Sequence, residues 1–389
     1  MDFELQPLPY HQAVASHIEA REPELWSWFR SEDFARKYRR ETDTELLRTA
    51  LRLEAKGANA RRYALAEEAR NRLGLSDPVR LYQMHDTTGI PNAFLTFTPG
   101  EIVICFAGRI LELLDADAEL LDLLGHEISH YRLFVADGGR YYTADRLLFW
   151  FLMRDGCPAE FVETWRRCRL YTEIYCDLGG LKASGDRNAT ILGLVKSLAD
   201  FKDADAESYL KQVDQLMAHG PGASRGLTHP ELHVRVLAIA EAGCRPKPAF
   251  DSMIETLISG ASELGVLDVL DQSALLARTR AVVDRVMGAT ASPPKDLVAH
   301  VTAMFPGYVR PAAPTAPLAP LAATISKSIR HYLTYLLLDL GTVGRSPDIL
   351  ALAASVADEL GLGVAFRDTA RQELRGRRTL LPALKSPAV

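Results

Sequence analysis

The sequence predicts an α+β fold that is mainly helical, with one small, mostly antiparallel sheet and a helical C-terminal extension. Three observations predict it. Apolar residues recur at helical spacing over most of the chain, whereas between residues 79 and 106 the period falls to two. Five prolines set among alanines between residues 306 and 320 then separate a last helical stretch from what precedes it.

The chain has 389 residues, enough for a large core, and a net charge of -5 with acidic and basic residues interleaved. That balance gives no electrostatic footprint for nucleic acid or an anionic membrane surface. The first residues lack the basic region and apolar core of a secretory signal, and the apolar stretch over residues 147–153 is far shorter than the roughly 20 residues of a membrane span. Five cysteines, an odd number with no Cys-x-x-Cys spacing, fit reduced thiols better than a disulfide framework. The expectation is a cytoplasmic protein with no membrane insertion.

In chain order, residues 1–75 read as a helical cover. Thr42 with Glu45 three places on forms a capping box opening a helix over residues 46–53, Gly57 suits its end, and residues 60–73 follow as a second amphipathic helix. Residues 76–245 form the chemical unit. Val79, Leu81 and Gln83 alternate with Arg80, Tyr82 and Met84, and Ala93, Leu95 and Phe97 alternate with Phe94, Thr96 and Thr98. Pro99-Gly100 then turns the chain into a strand over 101–106, making a hairpin. One strand must be an edge, able to pair with an extended peptide through main-chain hydrogen bonds.

The stretch over residues 120–134 organises the chain. Asp115 suits its N-cap, Asp117 and Glu119 favour its positive end, and Gly138-Gly139 closes it. Gly125 inside costs a helix about 1 kcal/mol against Ala, which suggests close packing on a neighbour. Its centre reads His126-Glu127-Ile128-Ser129-His130. Residues four apart share a helical face, so two imidazoles can serve one metal ion with Glu127 beside the open position, where it can take a proton from water. This is the pattern of a metallopeptidase zinc site.

Helices around 147–153 and 159–168 lead to Glu173-Ile174-Tyr175-Cys176-Asp177. Glu173 and Asp177 are again four apart; on a helix one can bind the metal while the other holds a ligand imidazole, and spacing leaves the assignment open. Thr228-His229-Pro230 begins a further helix containing Arg235, with Pro230 in its first turn. Beyond residue 245 come a helical extension over 246–305, a Pro/Ala-rich linker or surface strap over 306–324, and a small helical unit over 325–389 divided at Gly341 and Gly361-Leu362-Gly363.

Four blocks thus stand in order: Pro91-Asn92-Ala93-Phe94, His126 to His130, Glu173 to Asp177, and Thr228-His229-Pro230 with Arg235. With them, over about residues 75–243, the chain resembles the zinc peptidase family that contains the CAAX prenyl protease and the heat-shock protease HtpX, the forty-eighth of the metallopeptidase families. The resemblance implies a zincin-like unit of the gluzincin type. In it His126, His130 and Glu173 would hold one zinc ion (Zn2+) per chain, Glu127 would be the catalytic acid/base, and Asp177 would hold a ligand imidazole from behind. His229 and Arg235 match groups near the active site and are candidate catalytic residues. Two positions beside the metal depart from the family: Ser129 stands where Gly is usual and Cys176 where Ala is.

The function expected is therefore that of a zinc-dependent metalloendopeptidase. It would hydrolyse peptide bonds of a protein or peptide substrate by a zinc-activated water, with Glu127 as general base and acid and His229 or Arg235 assisting the oxyanion. The substrate would add as a strand at the sheet edge, and a protein partner would bind the C-terminal helices. The alternative is a catalytically silent or latent zinc-binding scaffold acting through helical protein–protein interaction.

Overall fold

The computed structural model describes residues 3–85, 89–114, 116–199, 201–220, 222–322, 325–375 and 382. The chain divides into two compact units, Met1–Gly260 and Ala261–Val389. Among the described residues no helix is long and apolar enough to cross a membrane.

The first unit holds the sheet. Its strands are β1 (Ala50–Arg52), β2 (Val79–Met84), β3 (Asn92–Thr98) and β4 (Glu101–Ala107), in the spatial order β1-β2-β4-β3. The β3–β4 hairpin turns at Pro99-Gly100, where Gly100 takes φ +81°. β1 runs antiparallel to β2, while β2 and β4 are parallel, which makes the sheet mixed. β4 lies between two neighbours and is covered on both faces. Its residues from Ile102 to Phe106 are therefore all apolar and 0 % exposed rather than alternating.

The chain before β1 differs from the expectation. It runs into β1 as a single helix, Glu32–Thr49, capped by the Ser31 hydroxyl, which accepts from the Phe34 amide. Thr42 lies in the middle of this helix and caps nothing. Residues 50–52 leave the helical path because β2 offers an edge that they complete, with Ala50 opposite Met84; strand pairing outweighs local helix propensity here. The helix Ala60–Arg72 is present as expected.

Two long helices carry the chemistry. The motif helix, Asp117–Leu152, is interrupted at residues 136–139, where Asp137, Gly138 and Gly139 take φ of +50°, +65° and +85° before a second arm resumes. Its expected cap, Asp115, lies outside the described residues. The second helix, Ala159–Ser184, is buried on all sides around residues 170–181 and ends on Gly185 in the left-handed conformation (φ +69°). The two helices meet along small residues. A Cβ on Gly125 would overlap Ala183, one on Gly179 the Ser129 side chain, and one on Gly180 the Asp122 carboxylate. The close packing suggested by Gly125 is thus found, and Ser129 is accommodated because Gly179 faces it, its hydroxyl donating to the Gly125 carbonyl at 2.7 Å. From outside, Arg132 ties the crossing by donating to Leu5 O at 2.8 Å and to the Tyr175 hydroxyl at 2.5 Å.

In the second unit, helices Val269–Ala289, Lys295–Met304, Lys327–Val343, Pro347–Glu359 and Gly363–Glu373 share one core built on Val283, Leu297, Leu333, Leu337, Leu350 and Phe366. The proline-rich segment is strapped to it. Arg285 donates to Thr315 O at 2.7 Å, and the Leu318 and Leu321 amides donate to Glu359 and Leu360 O at 2.8 and 3.1 Å. No break falls at Gly341, which lies inside its helix and lets Leu350 and Ala353 approach. The chain turns instead at Gly344 and Arg345, the latter at φ +50°.

Gly179→Ala is expected to destabilise the protein by about 1–3 kcal/mol through overpacking against Ser129. Adding Ser129→Gly should recover part of that loss. Denaturant midpoints of the full chain, read as a double-mutant cycle, check it; additive effects would mean that the two positions do not meet.

Candidate functional site

The motif helix buries Leu124, Ile128 and Ser129 and so turns His126, Glu127 and His130 to the opposite side, with the imidazole centroids 5.2 Å apart. Glu173 enters from the second helix. Its Oε2 is 3.5 Å from His126 Nε2 and its Oε1 is 3.7 Å from His130 Nε2. Donors about 2.0–2.2 Å from a tetrahedral zinc ion stand about 3.3–3.6 Å from one another, so these spacings suit three groups around one ion better than direct hydrogen bonds.

The protonation pattern gives the same answer. His126 Nδ1 faces Asp177 Oδ1 at 3.0 Å, and since a carboxylate only accepts, Nδ1 carries the hydrogen. Nε2 then faces the Glu173 carboxylate, where either a proton or a metal ion would lie between the two groups. Burial alone would lower the His126 pKa; hydrogen bonds with Asp177 and Glu173 outweigh it and push the group up to about 10. The site is thus built to hold positive charge beside His126. At His130 burial prevails, pushing it down to about 3 and keeping its imidazole neutral.

The charges around the site are buried together. Glu127, Glu173, Asp177 and Arg235 are each at most 4 % exposed. Three acids face one guanidinium, and the protons held by His126 and by a raised Glu127 balance the remainder, so a metal ion would bind by displacing protons. Arg235 grips Asp177 with two bonds, Nε to Oδ2 at 2.8 Å and a terminal nitrogen to Oδ1 at 2.6 Å, and lies 3.6 Å from Glu173 Oε2. Burial would raise the Asp177 pKa, but Arg235 outweighs it and holds the carboxyl below its usual range. Glu173 is held well below its usual range, the two imidazoles overcoming burial. At Glu127 burial prevails and pushes it up to about 7, although His126 and the Leu95 amide of β3, which donates to it, pull the other way.

The four sequence blocks converge. Pro91, Asn92 and Ala93, then His126 and Glu127, Glu173 and Asp177, and His229 and Arg235 all line one cavity of about 390 Å³. His229 sits at its rim, half exposed, with Nε2 3.5 Å from Glu173 Oε2. Its loop is fixed by Arg166, which donates to Gly226 O at 2.9 Å, and by Glu231, which accepts from the Ser224 hydroxyl and the Arg225 amide at 2.6 and 2.8 Å. The helix that follows is Leu232–Glu241 with Glu231 at its cap, so Pro230 lies just before the helix rather than in its first turn.

Sequence reasoning missed Asp122. It lies one turn before His126, lines the same cavity, and is pushed up to about 8 by burial. The signal was there, since Asp122, His126 and His130 recur every four residues, but an acid early in a helix reads as solvated. Cys176 is closer to the centre than a small packing residue would need to be. Its sulfur and nitrogen atoms of His126 and His130 lie within 4.8 Å of one another. Glu173 also faces the pair, each of its oxygens lying within 3.7 Å of one imidazole nitrogen.

The sequence model of Peptidase family M48 matches residues 58–134. The match includes His126, Glu127 and His130 and ends before Glu173. No curated protein and no solved structure was found to match the chain.

Arg235→Met is expected to lower stability by about 3–5 kcal/mol, because it leaves the buried Asp177 carboxylate unpaired. Combining it with Asp177→Asn should relieve part of the cost. Chemical denaturation of the two variants at neutral pH measures this, and equal losses in both would count against the pair.

Proposed function

The chain carries a segment of metallopeptidase family M48, and from that premise we propose that it is a zinc-dependent metalloendopeptidase acting on a protein or peptide substrate. The observation that carries this reading is the convergence of His126, His130 and Glu173 around one point, with Glu127 beside it in the cavity wall.

His126, His130 and Glu173 would hold a zinc ion, which when bound would supply Lewis acidity toward a peptide carbonyl and a water near neutral pH. Glu127 accepts the proton of the attacking water on a carboxylate oxygen and returns it to the leaving amine nitrogen. A carboxyl raised toward neutrality by burial suits both transfers. Asp177 fixes the hydrogen on His126 Nδ1, so that Nε2 faces the centre, and Arg235 keeps Asp177 ionised and oriented. His229 Nε2, at the rim, is placed to donate to the carbonyl oxygen as negative charge develops there.

β3 supplies the rail. The Leu95 amide points away from β4 toward Glu127, so by the alternation of an antiparallel pair Ala93 turns its main-chain groups the same way. Ala93 lines the cavity, and an extended substrate pairs with it there.

Glu127→Gln is expected to keep one zinc ion per chain while peptide cleavage falls by about 10²–10⁴-fold, as for loss of a general base. Asp177→Asn should weaken zinc affinity by about 10–100-fold. Metal analysis and cleavage of a mixed peptide library read both. Undiminished cleavage by Glu127→Gln would sink the mechanism.

A further inference from the structure

We propose that Asp122 is the floor of a specificity pocket that takes a lysine or arginine side chain of the substrate. The proposal rests on the peptidase reading above and names the side chain that the site selects.

Asp122 stands one turn before His126 on the motif helix, about 6 Å back along its axis, and lines the same cavity. The residue is 8 % exposed, yet among the described residues no Lys or Arg forms an ion pair with it; the Thr190 hydroxyl is its hydrogen-bond partner. The other acids of the cavity have their work. Asp177 is gripped by Arg235, Glu173 faces two imidazoles, and Glu127 serves the water. Asp122 is the acid that the mechanism does not use.

Its surroundings form a slot. Oδ1 rests against Gly180, while Oδ2 faces Gly193 of the helix Arg187–Ala199, where an added Cβ would stand 3.3 Å from it. The missing side chain at Gly193 keeps Oδ2 open to the cavity. Leu114, Leu123, Leu194 and Leu198 line that cavity as well. Apolar walls with a carboxylate at the end fit a side chain that is aliphatic along its stem and cationic at its tip. The four-carbon stem of lysine, or the longer arm of arginine, covers the one helical turn between His126 and Asp122. Burial pushes Asp122 up to about 8, and a docking ammonium or guanidinium takes the place of the proton it then holds, which passes to solvent.

The test uses the full chain loaded with zinc and a mixed peptide library. Cleavage is expected with Lys or Arg at one fixed position beside the scissile bond. A peptide with lysine there is then compared with its acetyl-lysine twin, which keeps the stem and loses the charge. Acetylation should lower kcat/KM by about 10–100-fold, as for loss of a hydrogen-bonded charge, and Asp122→Asn should bring the two peptides close to equality. Asp122→Ala, which adds no bulk, replaces it if Asp122→Asn does not fold. Binding of short blocked peptides with a central lysine or acetyl-lysine to the Glu127→Gln chain, read by fluorescence anisotropy, should show the same preference without turnover. Equal handling of the two peptides, an apolar or acidic preference at that position, or a lysine preference that survives loss of Asp122 overturns the proposal and leaves the peptidase reading intact. Lysine-dependent binding without cleavage of any peptide supports the pocket and sinks the peptidase reading; neither cleavage nor lysine-dependent binding overturns both.

Discussion

The crossing of the motif helix over Ala159–Ser184 is the constraint on which the site depends. Three imidazole or carboxylate groups can surround one ion only if their backbones approach closely, and ordinary side chains between two helices would hold the axes about 8–10 Å apart. Gly125, Gly179 and Gly180 remove that spacer where it matters, leaving room only for Ser129, Asp122 and Ala183. Each glycine carries a helix-propensity cost of roughly 1 kcal/mol, so the sequence sacrifices local stability to place Glu173 opposite His126 and His130. Burial around the crossing offsets it, with Leu124, Ile128, Ile174 and Tyr175 all 0 % exposed.

A site assembled so deep is electrostatically unbalanced by itself. Three acids against one guanidinium favour a cation, and the strongly basic His126 reports that preference as an affinity for a proton. A proton and a metal ion are competing answers to the same field. Arg235 answers part of it, mainly at Asp177, which it holds with two hydrogen bonds, and more weakly at Glu173, 3.6 Å away. The division of labour follows from position: Glu173 faces the two imidazoles while the hydrogen bonds of Arg235 go to Asp177. At Glu127 burial outweighs the attraction of His126 and Arg235, and the carboxyl drifts upward, which suits the proposed role of general base near neutrality.

The sequence revealed the site better than the fold, for a physical reason. Metal chemistry fixes residue types and their helical spacing, so His126, Glu127 and His130 announce themselves locally, whereas spacing left open which of Glu173 and Asp177 faces the ion and only the resemblance implied an order. What spacing could not supply was the partner of each group. The grip of Arg235 on Asp177 spans 58 positions and exists only once two helices meet. Strands β2, β3 and β4 were legible from alternation and the Pro99-Gly100 turn. β1 was not, because three residues carry no period and their conformation is set by the open edge of β2. The same holds for Gly341, where a glycine that reads as punctuation serves a tertiary contact with Leu350 and Ala353.

Ser129 and Cys176, the two departures beside the proposed metal site, turn out to be different in kind. Ser129 is a steric exchange: its hydroxyl satisfies itself on the Gly125 carbonyl, its bulk is taken up by Gly179, and nothing electronic reaches the ion. Cys176 cannot be dismissed in that way, because its neighbours are donors rather than backbone. Packing would be served as well by alanine, without a buried group left short of hydrogen bonds. Burial and the carboxylates of Glu173, Glu127 and Asp177 hold the Cys176 pKa well above the ordinary thiol value, so it stays a neutral thiol beside the imidazoles and leaves the proposed metal's fourth position to water.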